Sequence, residues 1–289
     1  FPGVWQYTDV EGRPLTGTLV LYRGYPDRDA NRPGGYVTLE GGIKNGPYFH
    51  YDEGVLLFVE NYWAGVLEGP RISYYENGRP EYERTYSGGL QNGPEREYDE
   101  DGILRAVADY KNDKKHGTEI IYYDHGRGRI FLRQEYIDGK KHGIRINYDE
   151  DGVPLLKETY KDGLLDGVTY RYFNDGRLAA ELNYRQGLLE GVLKAYYWSG
   201  AIKSESVYSN GRKNGPHKEY YPNGRVDMEC VYLNGNPAGT FRQYYQHGAL
   251  KEESVYDGDT VSSTYFYPDG KVRSRFSEKS RKRVGVEVE

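Results

Sequence analysis

The chain has 289 residues, with 39 Lys and Arg against 44 Asp and Glu, a formal net charge of −5. That balance excludes nucleic acid as the default partner, because phosphate binding needs a strongly basic surface. Hydrophobic content is 37% and mean hydropathy −0.88, yet aromatics reach 15% and 32 residues are Tyr. So little apolar content excludes a thick core, while strand-favouring rings with polar tips exclude plain disorder.

From the N-terminus, Phe1-Pro2-Gly3-Val4-Trp5 runs directly into ordered-looking sequence without a Met. We read that start as the product of signal-peptide removal. It points to a periplasmic or cell-envelope location, with the cytoplasm as the alternative. No apolar run approaches the roughly 20 residues of a membrane helix. Cys230 is the single cysteine, so no intrachain disulfide can form. Residues 1–38 read as an atypical capping unit with an irregular insert over 22–38.

From residue 39 to 270 two strings alternate. Tyr-x-x-Gly-x-x-x-Gly occurs, among other places, at Tyr62/Gly65/Gly69, Tyr160/Gly163/Gly167, Tyr208/Gly211/Gly215 and Tyr232/Gly235/Gly239. Tyr-Tyr-x-x-Gly falls between, as in Tyr74-Tyr75…Gly78 and Tyr220-Tyr221…Gly224. The step is mostly 24 residues, and regular spacing of this kind marks a repeat architecture. Pro222-Asn223-Gly224-Arg225 reads as a tight turn with Asn-Gly at its centre, both at positive φ. After it, Val226, Met228, Cys230 and Tyr232 alternate with Asp227, Glu229 and Val231, the period of a strand. Each unit is therefore a β-hairpin. The fold class that follows is all-β: an elongated, twisted, solenoid-like single sheet, an antiparallel meander of about ten stacked hairpins. The recurring glycines serve turn geometry, leave room for a tyrosine ring over bare backbone, or both.

The register predicts cross-strand pairs Lys218–Glu229, Lys194–Glu205 and Arg242–Glu253 on one face, each worth about 0.2–1 kcal/mol. Loss of the second Gly between Tyr256 and Ser263 marks a departure from the repeat. Residues 271–289 form a C-terminal cap and basic tail, Ser277-Glu278-Lys279-Ser280-Arg281-Lys282-Arg283, and the alternation from Val284 to Val288 predicts a last edge strand.

Chemistry is sparse. His116 and His142 sit in neighbouring units, about two strand spacings apart and too far to share an ion with bonds near 2 Å. His125 and His247 read as turn residues. Asp99-Glu100-Asp101-Gly102 and Asp149-Glu150-Asp151-Gly152 lack the twelve-residue spacing of a calcium loop and read as widened hairpin turns. Cys230 falls on the buried strand face, as a small hydrophobe. No nucleophile elbow or phosphate loop is present. No cofactor, metal, small-molecule substrate or catalytic residue is assigned.

Binding surfaces are better marked. Acids gather at the Tyr-Tyr turns: Asp52, Glu53, Glu76, Asp99, Glu100, Asp101, Asp124, Asp149, Glu150, Asp151 and Asp175. They form either a solvated rim or an edge that attracts a basic partner. The opposite turns carry Lys114-Lys115, Lys140-Lys141, Leu164-Leu165 and Leu188-Leu189. The leucines either pack under the next unit or form an exposed apolar ledge for a partner.

The Tyr-x-Asn-Gly-x-x-x-Gly and Tyr-Tyr-x-Asn-Gly strings, clearest over 208–224, resemble the MORN-repeat family, in the variant of bacterial proteins labelled YwqK-like antitoxins. The opening Gly12-Arg13-Pro14-Leu15-Thr16-Gly17 is similar to that family's usual first unit. The resemblance covers about residues 7–270. It implies a non-catalytic protein-binding scaffold, of antitoxin or immunity type, whose partner is a toxin or secreted effector. Two alternatives stand beside it: a peripheral scaffold on anionic membranes, against which the net charge argues, and a non-catalytic accessory to an enzyme.

Overall fold

Two kinds of turn alternate along the chain, and each follows from its own residues. At the Tyr-Tyr end, the Gly224 N–H donates to the Tyr221 carbonyl at 2.8 Å and the Tyr221 N–H donates to the Arg225 carbonyl at 2.8 Å. Gly224 has φ +83° and Asn223 does not enter the left-handed region. The Asn223 side-chain oxygen instead accepts the Arg225 N–H at 3.1 Å. The loop thus has three residues, a type I turn closed by a left-handed glycine. The expectation of a two-residue Asn-Gly turn is corrected here. The extra residue is absorbed by a bulge beside Tyr220, so Lys218 still faces Glu229. The two-residue turns lie at the other end. Asn210 (φ 49°) and Gly211 (φ 78°) join Ser209 to Arg212, and Gln186 with Gly187 and Asn234 with Gly235 do the same. Both residues of such a turn need positive φ, which Asn-Gly supplies at little cost.

The acidic strings are not widened turns. Gly102 N–H donates to the Asp99 carbonyl at 2.8 Å and Asp99 N–H to the Ile103 carbonyl at 3.0 Å, the hydrogen bonds of the Tyr221 turn. The second glycine of several units has a different duty. Gly215, at φ +130°, sits in a strand bulge, where a Cβ would stand 3.0 Å from the Cβ of Val207. Gly46, Gly93 and Gly167 meet Thr38, Thr85 and Thr159 in the same way. The room these glycines leave is taken by the preceding strand, not by a tyrosine ring. Where the second Gly is missing, Leu250–Asp257 pairs with Thr260–Phe266 without any register shift.

The computed structural model describes residues 6–22, 33–123, 128–279 and 282–287. Residues 1–5, most of the insert (23–32), Asp124, His125 and Val288 lie outside them. Residues 33–38, grouped with the insert on sequence, belong to the strand Pro33–Glu40, which pairs with Gly17–Tyr22. The chain divides into two compact units, residues 1–143 with 150–152 and residues 144–149 with 153–289. In the first, the strands from Gly17–Tyr22 to Ile130–Ile137 pair antiparallel, each with the next in sequence. In the second, the strands from Pro154–Lys161 to Lys282–Glu287 do the same. The fold is all-β, a meander of hairpins, with no helix among the described residues. The predicted last strand is present, and the segment read as a basic tail is two strands, Val272–Lys279 and Lys282–Glu287.

Each unit has one layer, so its core is a row along one face rather than an interior. In the N-terminal unit Val37, Leu39 and Ala108 are buried beside Gln91, Glu119 and Gln134; in the C-terminal unit Leu182 and Cys230 lie beside Thr169, Ser206, His217 and Ser254. Buried polar groups need partners. Ser206 Oγ lies 2.7 Å from His217 Nδ1, and Ser254 Oγ 2.6 Å from Ser263 Oγ. Cys230 sits on this buried row as read from sequence, its thiol pushed up by burial.

Candidate partner-binding edges and face

The Tyr-Tyr turn edge is held by a repeated set of stitches. In four of the pairs the second Tyr donates its hydroxyl to a carbonyl of the next hairpin: Tyr75 to Tyr98 at 2.7 Å, Tyr197 to Tyr220 at 2.6 Å, Tyr221 to Tyr244 at 2.7 Å and Tyr245 to Phe266 at 2.9 Å. Burial, and then nearby carboxylates, raise the Tyr75 phenol above its usual range. The arginine after the turn glycine also reaches to the next turn. Arg79 Nη1 lies 3.1 Å from the Glu100 carbonyl and 3.5 Å from Asp101; Arg129 approaches Asp151 at 3.7 Å.

The predicted acidic edge therefore divides by role. Asp99 is a turn staple: its Oδ1 accepts the N–H groups of Asp101 at 3.0 Å and Ile103 at 2.8 Å. Asp149 accepts the Val153 N–H at 2.8 Å. Asp101 and Asp151 face arginines. Among the described residues, the exposed carboxylates of Glu76, Glu100 and Glu150 carry no ion pair. The sequence reading missed the arginines, although Gly78-Arg79, Gly128-Arg129, Gly176-Arg177 and Gly224-Arg225 recur at the repeat spacing.

At the two-residue turn edge the leucine pairs split. Leu164 and Leu188 are 53% and 50% exposed, while Leu165 and Leu189 are half-buried. Each pair thus turns its first leucine to solvent and its second inward. The carbonyls of Leu165 and Leu189 accept the N–H of Gly187 at 2.7 Å and of Gly211 at 2.9 Å. The exposed leucines lean over those same glycines: Leu164 Cδ2 and Leu188 Cδ2 come within 3.8 and 3.6 Å of the Cβ position. Leu233, 60% exposed beside the Asn234-Gly235 turn, joins this edge of the C-terminal unit and was missed on sequence. In the N-terminal unit Lys140 is exposed and Lys141 half-buried. Lys114 leans over Gly139, while Lys115 turns inward to the Glu119 carboxylate and the Tyr136 ring.

The predicted charge pairs form in the C-terminal unit: Lys194–Glu205 at 3.5 Å, Lys218–Glu229 at 3.2 Å and Arg242–Glu253 at 2.8 Å. Tyr220 and Tyr244 donate to Glu205 at 3.1 Å and Glu229 at 2.9 Å on the same face. One further cluster went unread in the sequence. His217 lies between Ser206 and Glu219, with Nε2 3.2 Å from Glu219 Oε1, the residue types of a hydrolase triad. Ser206 and His217 are each only 4% exposed, buried within the face of the sheet. The arrangement ties strands together. His116 Nδ1 lies 3.3 Å from Asp138, and no cluster of three metal-ligating side chains occurs among the described residues.

No curated protein matches this sequence. Among solved structures the chain overlaps the GtfA/B complex bound to UDP and GlcNAc (13% identity, TM-score 0.18, 39% of this chain and 22% of that one). It also overlaps the Tc holotoxin pore of Photorhabdus luminescens (11%, 0.19, 96% and 20%). A third overlap is with TcdB2-TccC3 lacking its hypervariable C-terminal region (11%, 0.15, 84% and 18%). The chain spans about a fifth of the length of these chains, and overlaps so slight define no shared fold or function. The sequence pattern of the MORN repeat variant matches residues 67–87, 91–112, 141–162 and 213–234. Each matched segment starts just after one two-residue turn and ends at the next, so the repeat that sequence comparison finds is one strand–turn–strand hairpin of this sheet.

Proposed function

We propose that the chain is a non-catalytic protein-binding scaffold, of antitoxin or immunity type, that neutralises a bacterial toxin or secreted effector. The observation that carries this reading is the ledge of Leu164, Leu188 and Leu233 on hydrogen-bonded turns. Exposed leucines on a rigid edge lose little entropy when covered, which favours a partner's apolar patch. The unpaired Glu76, Glu100 and Glu150 add a field that speeds the approach of a basic protein.

The test is binding of this chain to the effector encoded beside it, by calorimetry. Leu164→Asp with Leu188→Asp should weaken binding at least tenfold and abolish protection, because central apolar anchors dominate such interfaces. Both positions are exposed, so the fold should persist by circular dichroism. Unchanged affinity and protection would overturn the reading. Glu76→Gln, Glu100→Gln and Glu150→Gln together should slow association and flatten its salt dependence, with dissociation unchanged, in stopped-flow measurements.

A further inference from the structure

In the C-terminal unit the buried side chains Ser206, His217, Cys230 and Ser254 share one face of the sheet, and the other face is half-exposed. On the open face six consecutive strands, from Gly191–Tyr196 to Leu250–Asp257, carry Lys194, Glu205, Lys218, Glu229, Arg242 and Glu253 in cross-strand register. The sign alternates at every strand. Beside this ladder, two residues along the strands, runs a row of Val192, Val207, Pro216, Val231, Thr240 and Val255, apolar at every strand but that of Thr240. Val192, Val231 and Val255 are exposed by 41%, 47% and 43%.

We propose that this face is the contact surface for a second copy of the chain, packed face to face about a two-fold axis parallel to the strands and midway between two of them. Such an axis leaves the position along a strand unchanged. The valine row of one copy therefore meets the valine row of the other, and ladder meets ladder. The axis also reverses strand order about its midpoint, so in an alternating ladder every Lys or Arg comes opposite a Glu. With the axis between the strands of Lys218 and Glu229, for example, Lys218 faces Glu229, Glu205 faces Arg242 and Lys194 faces Glu253. One operator thus satisfies both rows, the requirement for an isologous contact. A two-fold axis along the ladder would set like charges together.

Charge and area both favour this occupant. The ladder is neutral and already paired within the chain, so covering it strands no lone charge. It offers little net field to a strongly charged partner and matches one with the same alternation. Six strands at about 4.8 Å spacing, each about eight residues at 3.3 Å, offer about 760 Å². A stable protein interface takes about 800 Å² from each side.

The test is sedimentation equilibrium of the full chain over a wide concentration range. We expect a species of twice the 33.2 kDa chain mass at high concentration. Val231→Lys should raise the dimer dissociation constant at least tenfold, with the monomer's circular dichroism and Tm unchanged at this exposed site. Leu164→Asp with Leu188→Asp lies on the turn edge and should leave the dimer intact, which separates this contact from the ledge proposed for the effector. A wild-type chain that stays at 33.2 kDa throughout, or a dimer indifferent to Val231→Lys, would overturn the proposal.

Discussion

Single residues in this chain are constrained less by a core than by backbone geometry and by reach to the next hairpin. Gly215 and Gly224 show the difference. Both have positive φ, but a side chain at Gly215 would also collide with Val207, whereas Gly224 has open space around it. Gly215→Ala should cost about 2 kcal/mol or more, and Gly224→Ala about 1 kcal/mol, in urea unfolding. Equal costs would mean that the bulge relaxes freely. Tyr221→Phe removes only the hydroxyl that reaches the Tyr244 carbonyl and should cost about 1 kcal/mol. Asp99 makes the same point about charge. It was legible as an acid at an edge, but its hydrogen bonds to two turn N–H groups are a product of the loop length, which the sequence does not display.

At the scale of the hairpin, phenols and glutamates are coupled. Burial, and then Glu95, push Tyr110 up to about 12 from 10.0. Tyr98, Tyr160, Tyr220 and Tyr244 are raised by burial first and by a hydrogen bond to a glutamate second. The unfolded chain therefore releases these protons before the folded one does. Their stabilisation is complete below pH 10, falls as pH rises through the folded values, and for Tyr110 is gone above about 12. Urea midpoints measured from pH 9 upward should fall steeply beyond about 10; a flat profile would contradict the coupling. The charge pairs were legible because the pairing of Lys218 with Glu229 depends only on strand parity and distance from the turn. The turn types were not. Asn-Gly suits a two-residue turn and also the last two places of a three-residue one, and a bulge two residues away hides the difference in register.

For the molecule as a whole, each strand leans on its sequence neighbours, so damage should stay local. Gly215→Ala should lower amide protection in Ile202–Ser209, Arg212–Tyr220 and Val226–Leu233 and leave Pro33–Glu40 unchanged in hydrogen exchange. Uniform loss would indicate a single cooperative unit.

The all-β class, the hairpin repeat, the charge ladder and the buried place of Cys230 were all set by local periodicity, since spacing of tyrosine and glycine dictates where a chain turns and which side chains share a face. Tertiary structure alone decided that Leu164 and Leu188 stay exposed while Leu165 and Leu189 do not, and that arginines reach across to the acidic turns. Those outcomes depend on how one hairpin docks against the next, and a contact about 24 residues away along the chain leaves no mark on the residues between.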